Sequence, residues 1–437
     1  MIAHLATYLE ILQFPLFFRG IWEHHLTCHY NAPFVLIMSI IVFNYILERV
    51  LSILNSTRYD SKLPEEVSDV YDSEQYQKSQ KYKKVNERFS VITSTFSFIL
   101  IVSILTFHVF GYFDQIARSV TSNPILVALL FFAIIMLASD ILNTPFALYD
   151  TFVIEERFGF NKTTLATFFM DKFKGWFLAA VLGGGITALI IWIYLLTKDM
   201  FWIYAWIVVT AVMIFITIFY STLIVPLFNK QTPLSEGPLR DAIRSFCDKV
   251  SFRLDNVFVI DGSKRSTKSN AYFTGLGSKK RIVLYDTLIN DLSTKEIVAV
   301  LAHEIGHYKK KHSIINIILG VVQTGITLYV FSLFTVNPML SWALGAKVHS
   351  IHMVILAFGI IYSPITTVVG LALNLLSRTH EYQADQYAKK HFSAEYLISA
   401  LKKLSSKNLS NLTPHPAYVF FHYSHPTLLQ RIKALKN

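Results

Sequence analysis

The chain alternates between long apolar runs and charged stretches. A helix needs about 20 mainly apolar residues to cross a bilayer. Seven stretches reach that length, at roughly Pro33–Leu54, Val91–Tyr112, Pro124–Phe146, Gly175–Thr197, Phe201–Ile224, Ile314–Val336 and His352–Leu376. The pattern predicts a polytopic membrane protein with seven transmembrane helices. The third stretch carries Asp140 and Asn143, the sixth Asn316 and Gln323, and the seventh Asn374. Polar groups at membrane depth face protein or a watery cavity rather than lipid, and local helix–helix hydrogen bonds account for each equally well. Gly183-Gly184-Gly185 in the fourth stretch reads as a close-packing site. The early run Ile11–Phe18 is short, follows Glu10 and has no basic region before it, which makes a poor cleavable signal peptide.

Between the apolar runs lie three pieces large enough to fold. Ser61–Ser90 is strongly charged and reads as a surface helix packed beneath the membrane. Val225–His312 mixes patterns, and Ser377–Asn437 is helical in its spacing. In the middle piece, Asn256–Ile260 and Lys280–Asp286 alternate Val, Ile and Leu as strands do, with Asn270–Thr274 an exposed strand between them. Neither large piece can bury a full core alone, so the two are expected to fold together under the spans. The expected organisation is 1–224 with five spans and a helical loop at about 58–90, 225–312 as a catalytic segment, 313–376 with two more spans, and 377–437 as a completing tail.

Composition strengthens the membrane reading. Hydrophobic residues make up 53% of the 437 and charged residues only 16%, against about 25% charged in ordinary soluble chains; mean hydropathy is +0.43. Disorder, collagen-like repeats and a disulfide scaffold are excluded. The net charge of +11 is better read as cytoplasmic loops than as a nucleic-acid surface, because loop Lys and Arg set topology. The loops and tail on one side hold 35 basic residues against four on the other (Arg19, Arg118, Lys198 and Lys347). The positive-inside rule then puts the N-terminus in the lumen and the large pieces and C-terminus in the cytosol. Cys28 and Cys247 fall on opposite sides and should not pair. The Asn-x-Ser/Thr triplets at Asn55, Asn161, Asn408 and Asn411 all fall at cytosolic faces, where none would be glycosylated. His4, His24, His25, His29 and His349 are too scattered on the lumenal side to suggest a second metal.

The chemistry concentrates in Leu301-Ala302-His303-Glu304-Ile305-Gly306-His307-Tyr308, which contains H-E-x-x-H. Histidines four apart sit one above the other on a helix face, so both rings can bind one zinc. Glu304 lies about 100° around the helix, within reach of a water activated there. Ser293 and Glu296 form a capping-box pair ahead of the apolar turns of Ile297, Val298, Val300, Leu301 and Ile305, so the context is helical. A catalytic zinc site needs a third protein ligand. The extended metzincin pattern would require Gly at position 310 and His at 313, and the chain has Lys310 and Ser313. His312 is one place out of register and reads, with Lys309, Lys310 and Lys311, as an interfacial anchor of the sixth span. The better candidate is Glu381 in Ser377-Arg378-Thr379-His380-Glu381-Tyr382-Gln383-Ala384-Asp385. Asp385, four residues on, shares its face and can accept the free ring N–H of a ligand histidine. Taken alone, the segment is also compatible with an ordinary charged helix. Gly275-Leu276-Gly277 reads as a turn.

H-E-x-x-H at the head of one span, followed by S-R-x-x-E-x-x-A-D at the end of the next, resembles the integral-membrane CAAX prenyl proteases, zinc metalloproteases that process farnesylated proteins. Ser269-Asn270-Ala271-Tyr272-Phe273 is similar to that family's N-A-Y segment and Tyr423-Ser424-His425-Pro426 to its S-H-P motif. The resemblance covers nearly the whole chain. It implies one zinc per chain held by His303, His307 and Glu381, with Glu304 as general base and acid. It further implies substrate backbone at Asn270, Ala271 and Tyr272, oxyanion stabilisation by His425, and support of the ligands by Asp385 and Arg378. By local pattern alone, Asn270 reads rather as a turn residue and His425 equally as a surface-loop histidine. The implied fold is an all-α membrane barrel of seven helices around a large chamber, with a cytosolic zincin-like α+β domain. The implied reaction removes the C-terminal tripeptide after a prenylated cysteine, with a second upstream cut in some substrates; relief of blocked translocation channels is another role the resemblance permits. The implied location is the endoplasmic reticulum membrane, with the inner nuclear membrane as the second site it allows. No nucleic acid and no obligatory oligomer are expected.

Two other classes compete. A seven-span receptor shares the topology but has no use for H-E-x-x-H, and a transporter or scaffold with a structural zinc has no need of Glu304. The charge asymmetry generates a direct expectation. Protease added outside sealed microsomes should cut within Val225–His312 or the tail and spare the lumenal loops; protection of both regions with cleavage of the lumenal loops would reverse the topology.

Overall fold

The computed structural model describes residues 31–252, 257–274 and 281–437. Outside them lie Ile11–Phe18, Arg19, Cys28, the histidines from His4 to His29, Asn256, Lys280 and the Gly275-Leu276-Gly277 turn. Among the described residues, six helical runs are long and apolar enough to cross a membrane: Ala32–Ser56, Ser73–Thr106, Pro124–Phe158, Leu165–Phe228, His312–Ser332 and Ile351–His391. Much of their apolar surface, including Phe43, Ile141, Trp192, Ile207, Val322 and Val368, is left uncovered by protein. The chain is an integral multi-pass membrane protein.

Helix α1 (Ala32–Ser56) opens on the Asn31 cap with Pro33 in its first turn. Helix α2 (Ser73–Thr106) is capped by Asp72 and runs without a break from charged residues into apolar ones. The separate surface helix expected over Ser61–Ser90 is therefore absent. A short turn at Glu65–Val67 precedes α2, and no Gly or Pro interrupts the sequence from Ser73 to Thr106. The second stretch also ends earlier than expected. His108 adopts a left-handed conformation (φ 54°) and starts a distinct amphipathic helix, α3 (Val109–Val120). Helix α4 (Pro124–Tyr149) follows.

The fourth and fifth predicted stretches fall in the single run Leu165–Phe228. Straight, 64 residues would reach about 96 Å, three times the hydrocarbon thickness. The run instead breaks at Lys198 (φ 45°) between α6 (Gly185–Thr197) and α7 (Phe201–Phe219), after α5 (Leu165–Leu178). Tyr194 meets Phe201 edge-on across the break. Gly183-Gly184-Gly185 is not a close-packing site. A Cβ on Gly183 or Gly185 would meet nothing within 4 Å, and Gly183 and Gly184 end a π-helical turn, Ala179–Gly184. Close packing occurs instead where Trp206 of α7 covers Gly325 and donates to the Val321 carbonyl at 2.8 Å.

The extramembrane part is mostly helical, with a small mixed sheet of β1 (Gln231–Pro233), β2 (Val257–Ile260), β3 (Ala271–Thr274) and β4 (Arg281–Tyr285) in the order β1-β2-β4-β3. The pair β2–β4 is parallel, with Val257 opposite Ile282, while β3 runs antiparallel to β4 with Ala271 opposite Leu284. Thus β3 lies between its neighbours in sequence but forms the sheet edge in space. Helices α8 (Pro238–Lys249), α9 (Thr294–Lys309), α12 (Ala394–Lys407) and α14 (Leu428–Lys436) complete this part, with the short α13 (Pro416–His422) between the last two. One core joins Ile243, Phe246 and Cys247 to Leu284, Leu301 and Ile305, and to Ala388, Leu397 and Leu435 of the tail. The middle and tail pieces share it, because each supplies only one wall. A second core ties Val67, Val70 and Tyr71 to Phe158, Leu412 and Ile432.

Two helices link this part to the membrane. Helix α10 (His312–Ser332) begins immediately after α9, and α11 (Ile351–His391) continues for 41 residues through the apolar stretch and beyond it.

Candidate metal centre and its supports

The start of α9 is fixed by its capping box. Ser293 accepts from the Glu296 backbone N–H, and the Glu296 carboxylate accepts from the Ser293 N–H at 2.8 Å. Burial alone would raise the Glu296 carboxyl. Hydrogen bonds from Lys403, Ser399 and Ser293 outweigh it and hold the group at about 2. Lys403 and Ser399 belong to α12, so these bonds also attach α9 to the tail.

Further along, α9 crosses α11 at Gly306. A Cβ there would lie 3.0 Å from the Ala384 Cα and 3.0 Å from the Tyr387 Cβ. Only a glycine paired with a small residue permits this approach. It sets His303 and His307 of α9 against Glu381 and Asp385 of α11. The two Nε2 atoms are 3.1 Å apart, and the Glu381 oxygens lie 3.5 Å from His303 Nε2 and 3.3 Å from His307 Nε2. Two bonds of about 2.05 Å at a tetrahedral angle separate their ligand atoms by about 3.3 Å. The three donors have that spacing, and they form the metal-capable His/Cys/Asp/Glu group found among the described residues. The residues present fit a single small cation.

The surroundings organise this set. Asp385 is fully buried and accepts from His303 Nδ1 at 2.8 Å, which leaves the Nε2 lone pair free. Arg431 of α14 forms a fork on the same carboxylate, through Nε at 2.9 Å and Nη2 at 2.5 Å, and its Nη1 lies 3.6 Å from Glu381. This cation makes burial of two carboxylates tolerable. The expectation for Arg378 fails. Its guanidinium donates to the backbone carbonyls of Val419 and Tyr423 and touches neither ligand, so it holds the segment leading into His425. His425 itself is largely exposed, with Nδ1 3.0 Å from Glu381. Glu304 is half-buried beside His303. Asn270 is exposed at the head of β3, its carbonyl accepting from Tyr285 N and its side chain from Ala271 N. Ala271 packs toward the α9 core and Tyr272 toward Val225 and Val283, as alternation along a strand requires.

The reading of His312 as an interfacial anchor is overturned. His312 is 2% exposed; its Nδ1 lies 3.0 Å from His307 Nδ1 and its Nε2 2.9 Å from Gln383 Oε1. Lys311 adopts φ 61°, which folds the first residue of α10 back onto α9. Nothing in the sequence spacing brings Arg431, His312 or Gln383 to the site. The Thr427/Gln430 capping box marks the start of α14, but nothing in its spacing indicates an ion pair with Asp385.

Residues 53–230 match the family described as CAAX prenyl protease N-terminal, five membrane helices, and residues 233–437 match peptidase family M48. CAAX prenyl protease 1 of Saccharomyces cerevisiae is 35% identical over 93% of this chain and 96% of its own length. The chain belongs to the CAAX prenyl protease family. The Homo sapiens homologue of CAAX prenyl protease 1 is 33% identical over 86% of this chain and 88% of its own. The crystal structure of Saccharomyces mikatae Ste24p superposes with a TM-score of 0.87 at 35% identity, covering 93% of this chain and 99% of that one. As a member of this family the chain is a membrane metalloprotease, and the His303, His307, Glu381 cluster is its candidate metal centre.

Glu381→Ala should lower the metal content of the purified protein sharply, whereas Glu395→Ala on α12 should leave it unchanged. Asp385→Asn should weaken metal affinity or activity about 10–100-fold, the usual effect of losing a partner behind a ligand. Full metal stoichiometry in Glu381→Ala, measured by elemental mass spectrometry, would place the third ligand elsewhere.

Proposed function

We propose that this protease is a zinc endopeptidase that cleaves prenylated CAAX proteins near the C-terminus, removing the last three residues, with a second upstream cut in some substrates. The observation that carries this reading is the convergence of two imidazoles and a carboxylate with Glu304 one residue from the first of them. His303, His307 and Glu381 would hold the zinc, which when bound would supply Lewis acidity to polarise a carbonyl and lower the pKa of water toward about 7. Glu304 takes the proton of the attacking water and returns it to the leaving amine. His425, on the exposed side of Glu381, donates to the developing oxyanion. The substrate extends as a strand along the free edge of β3, beside Asn270, Ala271 and Tyr272.

In this reading 225–312 and 377–437 form one catalytic unit on the cytosolic side of the endoplasmic reticulum membrane, supported by the charge asymmetry of the loops. The N-terminus is lumenal. The run Leu165–Phe228 crosses twice, which gives seven spans, and these enclose a chamber.

Glu304→Gln keeps the side-chain shape and all three ligands. Zinc content and peptide binding should persist, while turnover of a farnesylated C-a-a-X peptide should fall about 10²–10⁴-fold, the range for a positioned acid–base group. Wild-type cleavage rates in the purified variant would rule out the mechanism.

A further inference from the structure

The two histidines of the metal centre have unlike supports. His303 is backed by a carboxylate, Asp385, which an Arg431 guanidinium neutralises. His307 is backed by a second imidazole, His312, which is in turn backed by the neutral amide of Gln383. His312 is buried at 2% exposure, and its ring stacks on His380 at 3.9 Å with an interplanar angle of 6°. Its orientation is therefore fixed. Each ring nitrogen faces one partner, and those partners are not interchangeable.

We infer that His312, oriented by Gln383, is a positioning residue that keeps the proton of His307 on Nδ1 and so presents the Nε2 lone pair to the metal. The direction follows from donor and acceptor chemistry. The Gln383 carbonyl oxygen can only accept, so His312 carries its proton on Nε2. In a neutral ring Nδ1 is then an acceptor, and it accepts from His307 Nδ1–H at 3.0 Å. The remaining nitrogen of His307 is unprotonated and lies 3.1 Å from His303 Nε2. Reversing the Gln383 amide would reverse every donor, put a proton on His307 Nε2 and aim it into the ligand cluster. The relay needs the α9–α10 turn to be sharp, and Lys311 in its left-handed conformation provides that.

The inference rests on His303, His307 and Glu381 holding zinc, and it adds a role for two residues outside that set. Gln383 is on the exposed side of α11, so substitutions there leave the core intact. The test is zinc affinity of purified full-length protein, measured with chelator-buffered zinc, alongside thermal unfolding of each metal-free variant. His312→Ala should weaken affinity about 10–100-fold. Gln383→Leu should weaken it by a smaller factor, Gln383→Glu should restore it because a carboxylate also accepts, and the double variant His312→Ala/Gln383→Leu should be no weaker than His312→Ala alone. That non-additivity is expected only if Gln383 acts through His312. Wild-type affinity in folded His312→Ala, or losses that multiply in the double variant, would overturn the inference while leaving the metal centre standing. Should His312→Ala not fold, the pair at Gln383 decides, since equal affinities of the Leu and Glu variants also overturn it. A wild-type protein that takes up no stoichiometric zinc would bring down the metal reading and this inference together.

Discussion

The close crossing of α9 and α11 at Gly306 and Ala384 is the contact on which the rest of the site depends. Each helix carries two of the groups that must meet: His303 and His307 on one, Glu381 and Asp385 on the other. Their convergence to 3.1–3.5 Å between ligand atoms requires backbones nearer than ordinary side chains allow. Any Cβ at Gly306 would meet the Ala384 backbone at 3.0 Å. A methyl there would drive the helices apart, and a shift of even 1 Å is large on the scale of metal–ligand bonds. The capping box at Ser293 and the Lys403–Glu296 pair hold the far end of α9, so the crossing is fixed at two places.

The same crossing ties the site to the bilayer. Glu381 follows the last predicted apolar residue, Leu376, by five positions, or about 7 Å of helix, with no break in α11. His312 is at once the first residue of α10 and a neighbour of His307. Both ligand-bearing helices therefore lead directly into membrane helices. A site so near the hydrocarbon suits the proposed substrate, whose scissile bond follows a lipid-bearing cysteine, and β3 is the proposed edge for that peptide.

Local patterns were legible where one helix or strand decides the outcome. Spacing of four placed His303 with His307 and Glu381 with Asp385, and Ser293 with Glu296 announced the helix that carries the first pair. Alternating Val, Ile and Leu marked β2 and β4, and the exposed strand expected at Asn270–Thr274 is β3, at the sheet edge. What depends on tertiary approach was not legible. His312 follows three lysines and looks like a surface residue until the left-handed Lys311 turns it inward. Arg431 reaches Asp385 from a helix 46 residues further on. Arg378 sits in the motif, yet it faces the backbone of the Tyr423 segment rather than the ligands. The triple glycine failed for a related reason: small residues permit close packing but do not summon a partner, and only Leu129, 3.9 Å from where a Cβ on Gly184 would lie, comes near.

The proposed centre holds one zinc between two imidazoles of α9 and one carboxylate of α11. Zinc K-edge X-ray absorption of the purified protein tests it most directly. That ligand set predicts about four nitrogen and oxygen neighbours at about 2.0–2.1 Å, with the outer scattering of two imidazoles. A sulfur shell at about 2.3 Å, scattering from one imidazole or none, or a six-coordinate all-oxygen shell would contradict it.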